Sequence, residues 1–462
     1  MNKLVLCFFT SVICLLCLVF RVDAQQSQKS SLIEASQAGA SPLFFKVNNP
    51  NTPIISLGKR SYPLEFFLRG GLPNFIYKAN KGDSLKLGFI GGSITKADDL
   101  YRTQIAKHLQ KTFPKAKMIG LNTGVSGTGS DLGAFRVTTQ LLAYQPDLVF
   151  IEFAVNGAFA PGVEGIIRQI RKHNSKTEIC LLYTISEGQA EQYANGKISN
   201  NIKNLEKIAE HYQVPSVHFG ASIGVMQQEG SLIWKGSGNS EKSKIVFSND
   251  GLHPTKDGGN LYAAAIGRAF ELIKMQKTNQ KLISYELLSP LLNEDWEDAK
   301  MLDPKDFASF KGDWITINPD TTLTINKFKP WFPYVMKAAK PGSEFTFKFK
   351  GDVFGLFDIG GPEVGEIEIF VDEEKGADSL KFINNRFNKF CNDRYRGQYF
   401  KYKVPYGEHI VRVIISQNIP NKQQILGDSQ LSDITVNPAK YNQSVIYLGK
   451  ILIKGEPMSL KK

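Results

Sequence analysis

Between residues 85 and 274, short apolar runs alternate with stretches whose apolar residues recur every three or four positions. The first run, LKLGFI over 85–90, predicts a buried strand that ends in the tight turn Gly91-Gly92-Ser93. Beyond it Tyr101, Ile105, Leu109 and Phe113 stand at four-residue steps, which places one apolar stripe on a helix. A strand near 116–122, a glycine-rich loop, a helix near 132–144 and a strand over 147–154 follow. A helix over 166–173, a strand over 178–185, a helix over 198–212, a strand over 214–219 and a helix over 258–274 complete the series. Five strands with intervening helices predict a three-layer α/β fold around a doubly wound, parallel, five-stranded sheet. Its ligands should bind outside the carboxyl ends of the strands.

The rhythm changes on both flanks. From about residue 301 to 456 the period falls to two: Phe345, Phe347 and Phe349 alternate with Thr346 and Lys348, and Ile367 and Ile369 with Glu366 and Glu368. Many short strands separated by Gly, Pro, Asn and Asp predict an all-β sandwich, jelly-roll-like, as an accessory domain. Residues 279–300 read as a linker. Residues 25–84 begin polar and then carry aromatic residues between glycines and prolines over 53–80, which predicts a few short strands able to pack on the β domain. Residues 1–24 have a basic start at Lys3, an uncharged apolar run over 4–20 and small residues ending at Ala24, the form of a signal peptide. Export to the periplasm or the extracellular space is therefore expected, with an uncleaved anchor as the competing reading. After cleavage no stable membrane insertion is expected.

Composition adds little. The 462-residue chain is 42% hydrophobic and 22% charged, ordinary values for globular domains. Its net charge of +12 suits an anionic glycan or surface, but the lysines are scattered, and nucleic acid is not an expected partner. Outside the signal stretch only Cys180 and Cys391 remain, so neither a disulfide framework nor a zinc spacing is read, and no metal or cofactor is called for.

The chemistry gathers at strand ends. Three loops follow three strands: Gly91-Gly92-Ser93, the stretch 122–129, and Phe153-Ala154-Val155-Asn156-Gly157. A fourth segment, Asp250-Gly251-Leu252-His253-Pro254, precedes the last helix. A serine hydroxyl is a poor nucleophile at neutral pH and needs a base within hydrogen-bond reach, a task suited to His253. Asp250 would fix the imidazole tautomer. The backbone N–H groups of Ser93 and Gly127 and the side-chain amide of Asn156 are candidate donors to an oxyanion. Taken singly, each of these residues is better read as an ordinary turn or surface position.

Together they resemble the SGNH (GDSL-type) hydrolase superfamily, of an exported bacterial type with a C-terminal β-sandwich. The resemblance runs over about residues 85–278, with the blocks in the family's order. It implies a flavodoxin-like sheet, Ser93 as nucleophile and first oxyanion donor, Gly127 and Asn156 as the other donors, and Asp250 and His253 as the rest of a triad. Two positions depart from the pattern: Gly92 and Gly157 stand where the family usually has aspartate. Both bear on the support of the oxyanion loop.

Gly92, Thr128, Glu152 and Arg136 are further candidates for the pocket, with a structural Glu152–Arg136 pair as the plainer account. The basic, aromatic segment 387–402 could capture a glycan or wall the cleft. The expected activity is removal of acetyl or other small acyl groups from a polysaccharide or oligosaccharide. The alternatives are an acyl hydrolase acting on lipid esters or thioesters, and a glycan-binding protein with a degenerate hydrolase domain.

Overall fold

The computed structural model describes residues 39–237, 244–276, 280–294 and 296–460. The expected signal peptide lies outside these residues. Seven strands form the first sheet: β1 (Phe44–Phe45), β2 (Phe66–Phe67), β3 (Ser84–Gly91), β4 (Lys117–Gly124), β5 (Leu148–Glu152), β6 (Glu178–Tyr183) and β7 (Ser216–His218), in the order β1-β4-β3-β5-β6-β7-β2. The five inner strands are parallel, and the two-residue edges are antiparallel. Counting the parallel strands alone, the order is the flavodoxin-like 2-1-3-4-5.

The order reverses beside β3, which lies between β4 and β5. Gly91 is in register with Gly124 on one side and Glu152 on the other, so the loops after the three strands leave the sheet at one level. Every residue of β5 and β6 is buried, as expected of strands covered on both faces. On one face the helices Tyr101–Thr112 and Lys256–Lys274 pack together, and Phe75 joins them through edge contacts with Phe113 and Phe270. On the other face the helix Ala160–His173 packs between Ser130–Gln140 and Asn200–His211.

The stretch 53–80 departs from its expected strands. Only Phe66–Phe67 is extended, and the longest element is the helix Pro73–Lys81, with proline in its first turn and Gly82 at φ +89° closing it. Phe75, Ile76 and Ala79 are the buried apolar positions, a helical spacing that the flanking glycines and prolines obscured. Both short strands extend the α/β sheet and not the later β domain. A parallel pair, β8 (Leu232–Lys235) and β9 (Ile245–Ser248), leads into the loop carrying Asp250 and His253.

The C-terminal strands are β10 (Ala299–Leu302), β11 (Ser309–Lys311), β12 (Ile315–Ile317), β13 (Val335–Ala338), β14 (Glu344–Gly360), β15 (Glu366–Val371), β16 (Leu380–Asn385), β17 (Arg396–Ile415) and β18 (Ile446–Met458). They form one antiparallel sheet whose long members fold over to make the sandwich. The register shifts between Gly351 and Val353, a bulge at which β14 bends. Before it, Phe345, Phe347 and Phe349 face the sandwich core. After it both faces are buried: Phe354 and Leu356 stay in that core, while Val353, Phe357 and Ile359 join the core of the α/β domain. The stretch expected as a linker is packed as well. Trp296 is buried edge-on between Phe135 (5.3 Å) and Phe159 (5.2 Å), against Gly165, where a Cβ would lie 2.6 Å from that of Trp296.

Candidate active site

Chain direction sets the first residue of the site. β3 ends at Gly91, Gly92 is the residue before a helical turn Ser93–Lys96, and the N–H of Lys96 donates to the Gly92 carbonyl at 3.0 Å. Beneath the turn lies Glu152, the last residue of β5 and fully buried. It accepts from the hydroxyls of Thr95 (2.7 Å) and Thr184 (2.6 Å) and from the backbone N–H groups of Gly92 and Thr95. Thr95 lies 2.7 Å from the hydroxyl of Tyr101. Burial pushes the Glu152 carboxyl up to about 7 despite these four donors. One carboxyl group thus ties the serine turn to the neighbouring strands.

The loop after β9 supplies the base. Ser93 Oγ is 2.7 Å from His253 Nε2, and His253 Nδ1 is 2.6 Å from Asp250 Oδ2. The other oxygen of Asp250 accepts from the backbone N–H groups of Leu252 (2.8 Å) and His253 (2.7 Å). Burial alone would raise the Asp250 carboxyl, but the bonds from His253 and these two amides outweigh it and hold the group below the ordinary carboxylate range. Thr255 closes the segment as cap of the helix Lys256–Lys274, its hydroxyl accepting from Gly258 N–H at 3.1 Å. The imidazole is therefore held on one side by a fixed carboxylate and turned to the serine on the other.

The remaining loops close around Ser93. Gly127 is exposed with φ +71°, a left-handed conformation natural to glycine. Thr128 is buried and its hydroxyl donates to the Val125 carbonyl at 2.8 Å, so it braces this loop from within. Asn156 lies against Gly92: a Cβ there would be 2.2 Å from Asn156 Oδ1 and 3.0 Å from Nδ2. That Oδ1 is buried and accepts no hydrogen bond among the described residues. The backbone of Asn156 approaches Gly129, 3.2 Å from a Cβ placed there.

The expected Glu152–Arg136 pair does not form. Arg136 is fully buried and donates to the carbonyls of Thr123 and Gly91 (3.2 Å), at the ends of β4 and β3, and burial lowers its guanidinium to about 9. Both residues lie under the site and stiffen it; neither lines it. His218, also in the core, pairs with the Tyr193 hydroxyl at 2.6 Å. Cys180 and Cys391 are buried free thiols. Among the described residues no group of His, Cys, Asp and Glu has the arrangement to hold a metal ion.

Sequence reasoning missed two features, the seat of the serine turn on Glu152 and the packing of Asn156 on Gly92. Of its two readings of the segment 387–402, the wall of the cleft is the one seen where the β domain reaches the Gly127 loop. Tyr399 donates to Asp131 Oδ1 at 2.9 Å and Lys401 pairs with its other oxygen, while Arg396 Nη2 comes within 3.6 Å of a Cβ placed on Gly127. The density of Arg and Tyr over 394–402 was the one available signal.

A serine, a histidine and a carboxylate in hydrogen-bonded series, beside a turn rich in N–H donors, can carry out acyl transfer. Comparison with known proteins agrees. Residues 83–261 match the model of the GDSL-like Lipase/Acylhydrolase family, and the α/β domain is a hydrolase domain of that kind, acting on ester bonds. Among solved structures, a two-domain esterase active on acetylated mannans, co-crystallised with mannopentaose, superposes with a TM-score of 0.63 at 21% identity, covering 86% of this chain and 98% of that one. Axe2, an acetylxylan esterase from Geobacillus stearothermophilus, has a TM-score of 0.32 at 21% identity, covering 43% of this chain and 97% of its own. No curated protein matches the sequence.

Proposed function

We propose that this chain is an exported serine esterase that removes acetyl or other small acyl groups from a polysaccharide or oligosaccharide. In this reading Ser93 Oγ attacks the ester carbonyl as His253 takes its proton. His253 then protonates the departing sugar hydroxyl, and water repeats the sequence on the acyl-enzyme. Asp250 holds the tautomer in which Nε2 accepts and stabilises the imidazolium. The N–H groups of Ser93 and Gly127 and the amide of Asn156 receive the oxyanion, a contribution of about a hundredfold in rate or more for each donor.

The observation that carries this reading is the unbroken series Ser93–His253–Asp250, with links of 2.7 Å and 2.6 Å, at the point where the strand order reverses. Its support for a glycan comes from the second domain packed at the site and from the two-domain esterase of like architecture, which acts on acetylated mannans. Export follows from the form of residues 1–24. Among the described residues no helix is long and apolar enough to cross a membrane.

Acetate release from acetylated mannan and acetylated xylan tests the reading directly. The Ser93→Ala protein should fall to background, and a fluorophosphonate should label Ser93 in the unaltered protein. Release by Ser93→Ala at the unaltered rate would exclude the mechanism, and glycan binding with neither turnover nor labelling would mark a binding protein instead.

A further inference from the structure

We propose that the β-domain rim beside Gly127 is a subsite for the carboxylate of an acidic glycan, with Arg396 as its principal ligand. The inference rests on the esterase reading and names the class of substrate it would take.

The position of Arg396 is built. It is the first residue of β17, and Tyr399 and Lys401 further along the same strand both bind Asp131, in the first turn of the helix that follows the Gly127 loop. That clasp sets the guanidinium at the loop, with Nη2 3.6 Å from a Cβ built on Gly127. Below it the ring of Phe390, exposed at 39%, lies 4.8 Å from the guanidinium carbon. A flat cation held over a flat ring keeps one orientation and offers its N–H edge for two parallel bonds to a planar acceptor.

The charge is unanswered from within the protein. The side chain of Arg396 has no hydrogen bond or ion pair with any described residue, and its Nε is buried without an acceptor. The carboxylate nearby, Asp358, is already taken by Arg386 through two bonds of 2.9 Å and 2.5 Å. Arg394, two residues earlier, likewise has a buried Nη1 with no acceptor. Lys327 lies within electrostatic range of Arg394, and the two like charges oppose each other. Elsewhere in this chain arginines that lose solvent find acceptors within the protein, as Arg69 in Glu206, Arg268 in Glu65 and Arg136 in the carbonyls of Thr123 and Gly91. An arginine cannot shed its proton to relieve burial, so unmatched guanidinium groups at a substrate-facing rim favour an anion brought by the ligand. On a glycan, a planar anion suited to that fork is a uronate carboxylate.

The test uses paired substrates on one enzyme: acetylated glucuronoxylan oligosaccharides and acetylated oligogalacturonides, each intact and with the carboxyl reduced to the alcohol. For the full chain, kcat/KM for acetate release should be at least about tenfold higher on the intact member of one pair, mainly through KM, and the preference should shrink as salt is raised. Arg396→Gln should bring the ratio toward one, and Arg396→Lys should retain part of it. Because both substrates meet the same protein, losses common to both cancel. If Arg396→Gln does not fold, Arg394→Gln and the salt dependence carry the test. Equal rates on both members of both pairs would overturn the proposal while leaving the esterase reading intact. A fall in kcat common to intact and reduced substrates that leaves their ratio unchanged would also overturn it, assigning Arg396 to the oxyanion. Absence of acetate release from every substrate would instead refute the esterase reading.

Discussion

The side-chain amide of Asn156 rests directly on the α-carbon of Gly92, so closely that a Cβ at residue 92 would lie 2.2 Å from Asn156 Oδ1. The glycine that departs from the family's pattern is thus the floor on which a candidate oxyanion donor stands. Gly92→Ala should displace the Asn156 amide and lower kcat on the order of a hundredfold, close to the effect of Asn156→Ala, with KM little changed. The double variant should be no worse than either single one, because both remove the same donor. Steady-state kinetics on a chromogenic acetate provides the four values, and additive losses would show that the two residues act separately.

The other departure behaves differently. Gly157 is exposed, at φ +84°, with no atom within 4 Å of a Cβ placed on it. Space is free there and only the backbone conformation objects, an objection that Asp and Asn feel less than other residues. Gly157→Asp should cost no more than about 1 kcal/mol of stability and change kcat/KM by less than about threefold. A large gain in rate would instead mean that the missing carboxylate limits the present enzyme.

Legibility in the sequence followed physical demand. Ser93, Asp250 and His253 could be read because nucleophilic chemistry restricts residue type, and because the apolar runs already marked strand ends; the structure brings the three within hydrogen-bond reach. The parallel sheet was readable for the same reason, since strands buried on both faces must be apolar throughout. Pairings across the fold were not. Glu152 and Arg136 looked like partners by charge, yet Glu152 answers hydroxyls and amides, and Arg136 answers backbone carbonyls. The helix Pro73–Lys81 was hidden because its aromatic residues and its bounding proline and glycine also suit short strands. Arg396 stood in a segment whose basic, aromatic composition was visible but whose position at Gly127 depends on a clasp 265 or more residues distant in sequence, between Asp131 and β17.

That clasp makes a prediction of its own. Asp131 is buried, receives Tyr399 at 2.9 Å and pairs with Lys401, so it joins the two domains at the rim of the site. Asp131→Ala leaves a hydroxyl and an ammonium of the β domain without their acceptor, a loss of about 1–3 kcal/mol. The melting temperature should fall by a few degrees. Hydrogen exchange should rise at residues 396–401 and in the Gly127 loop more than in the central sheet. An unchanged exchange pattern with a lowered melting point would place the effect in the helix Ser130–Gln140 alone.

Glu152 provides a prediction in pH. Burial raises its carboxyl from an ordinary value of 4.5 to about 7, so between those values the folded protein holds a proton that the unfolded chain has lost. Its contribution to stability is therefore full below about 4.5 and is lost as pH rises to about 7, at about 1.4 kcal/mol per pH unit. Glu178, also raised to about 7 by burial, contributes with the same sign, whereas Asp250 acts oppositely and loses its contribution only as pH falls below its ordinary 3.8. Comparing the unaltered protein with Glu152→Gln in denaturant titrations from pH 4 to 8 cancels the other groups. The difference in unfolding free energy should change by the equivalent of one proton between about pH 4.5 and 7 and be flat above. Glutamine also presents an N–H group to donors that need an acceptor, so kcat should drop as the Ser93 turn loosens, with labelling of Ser93 by fluorophosphonate slowed in parallel. A pH-independent difference would mean that Glu152 is ionised throughout, and unslowed labelling would remove it from the support of the serine.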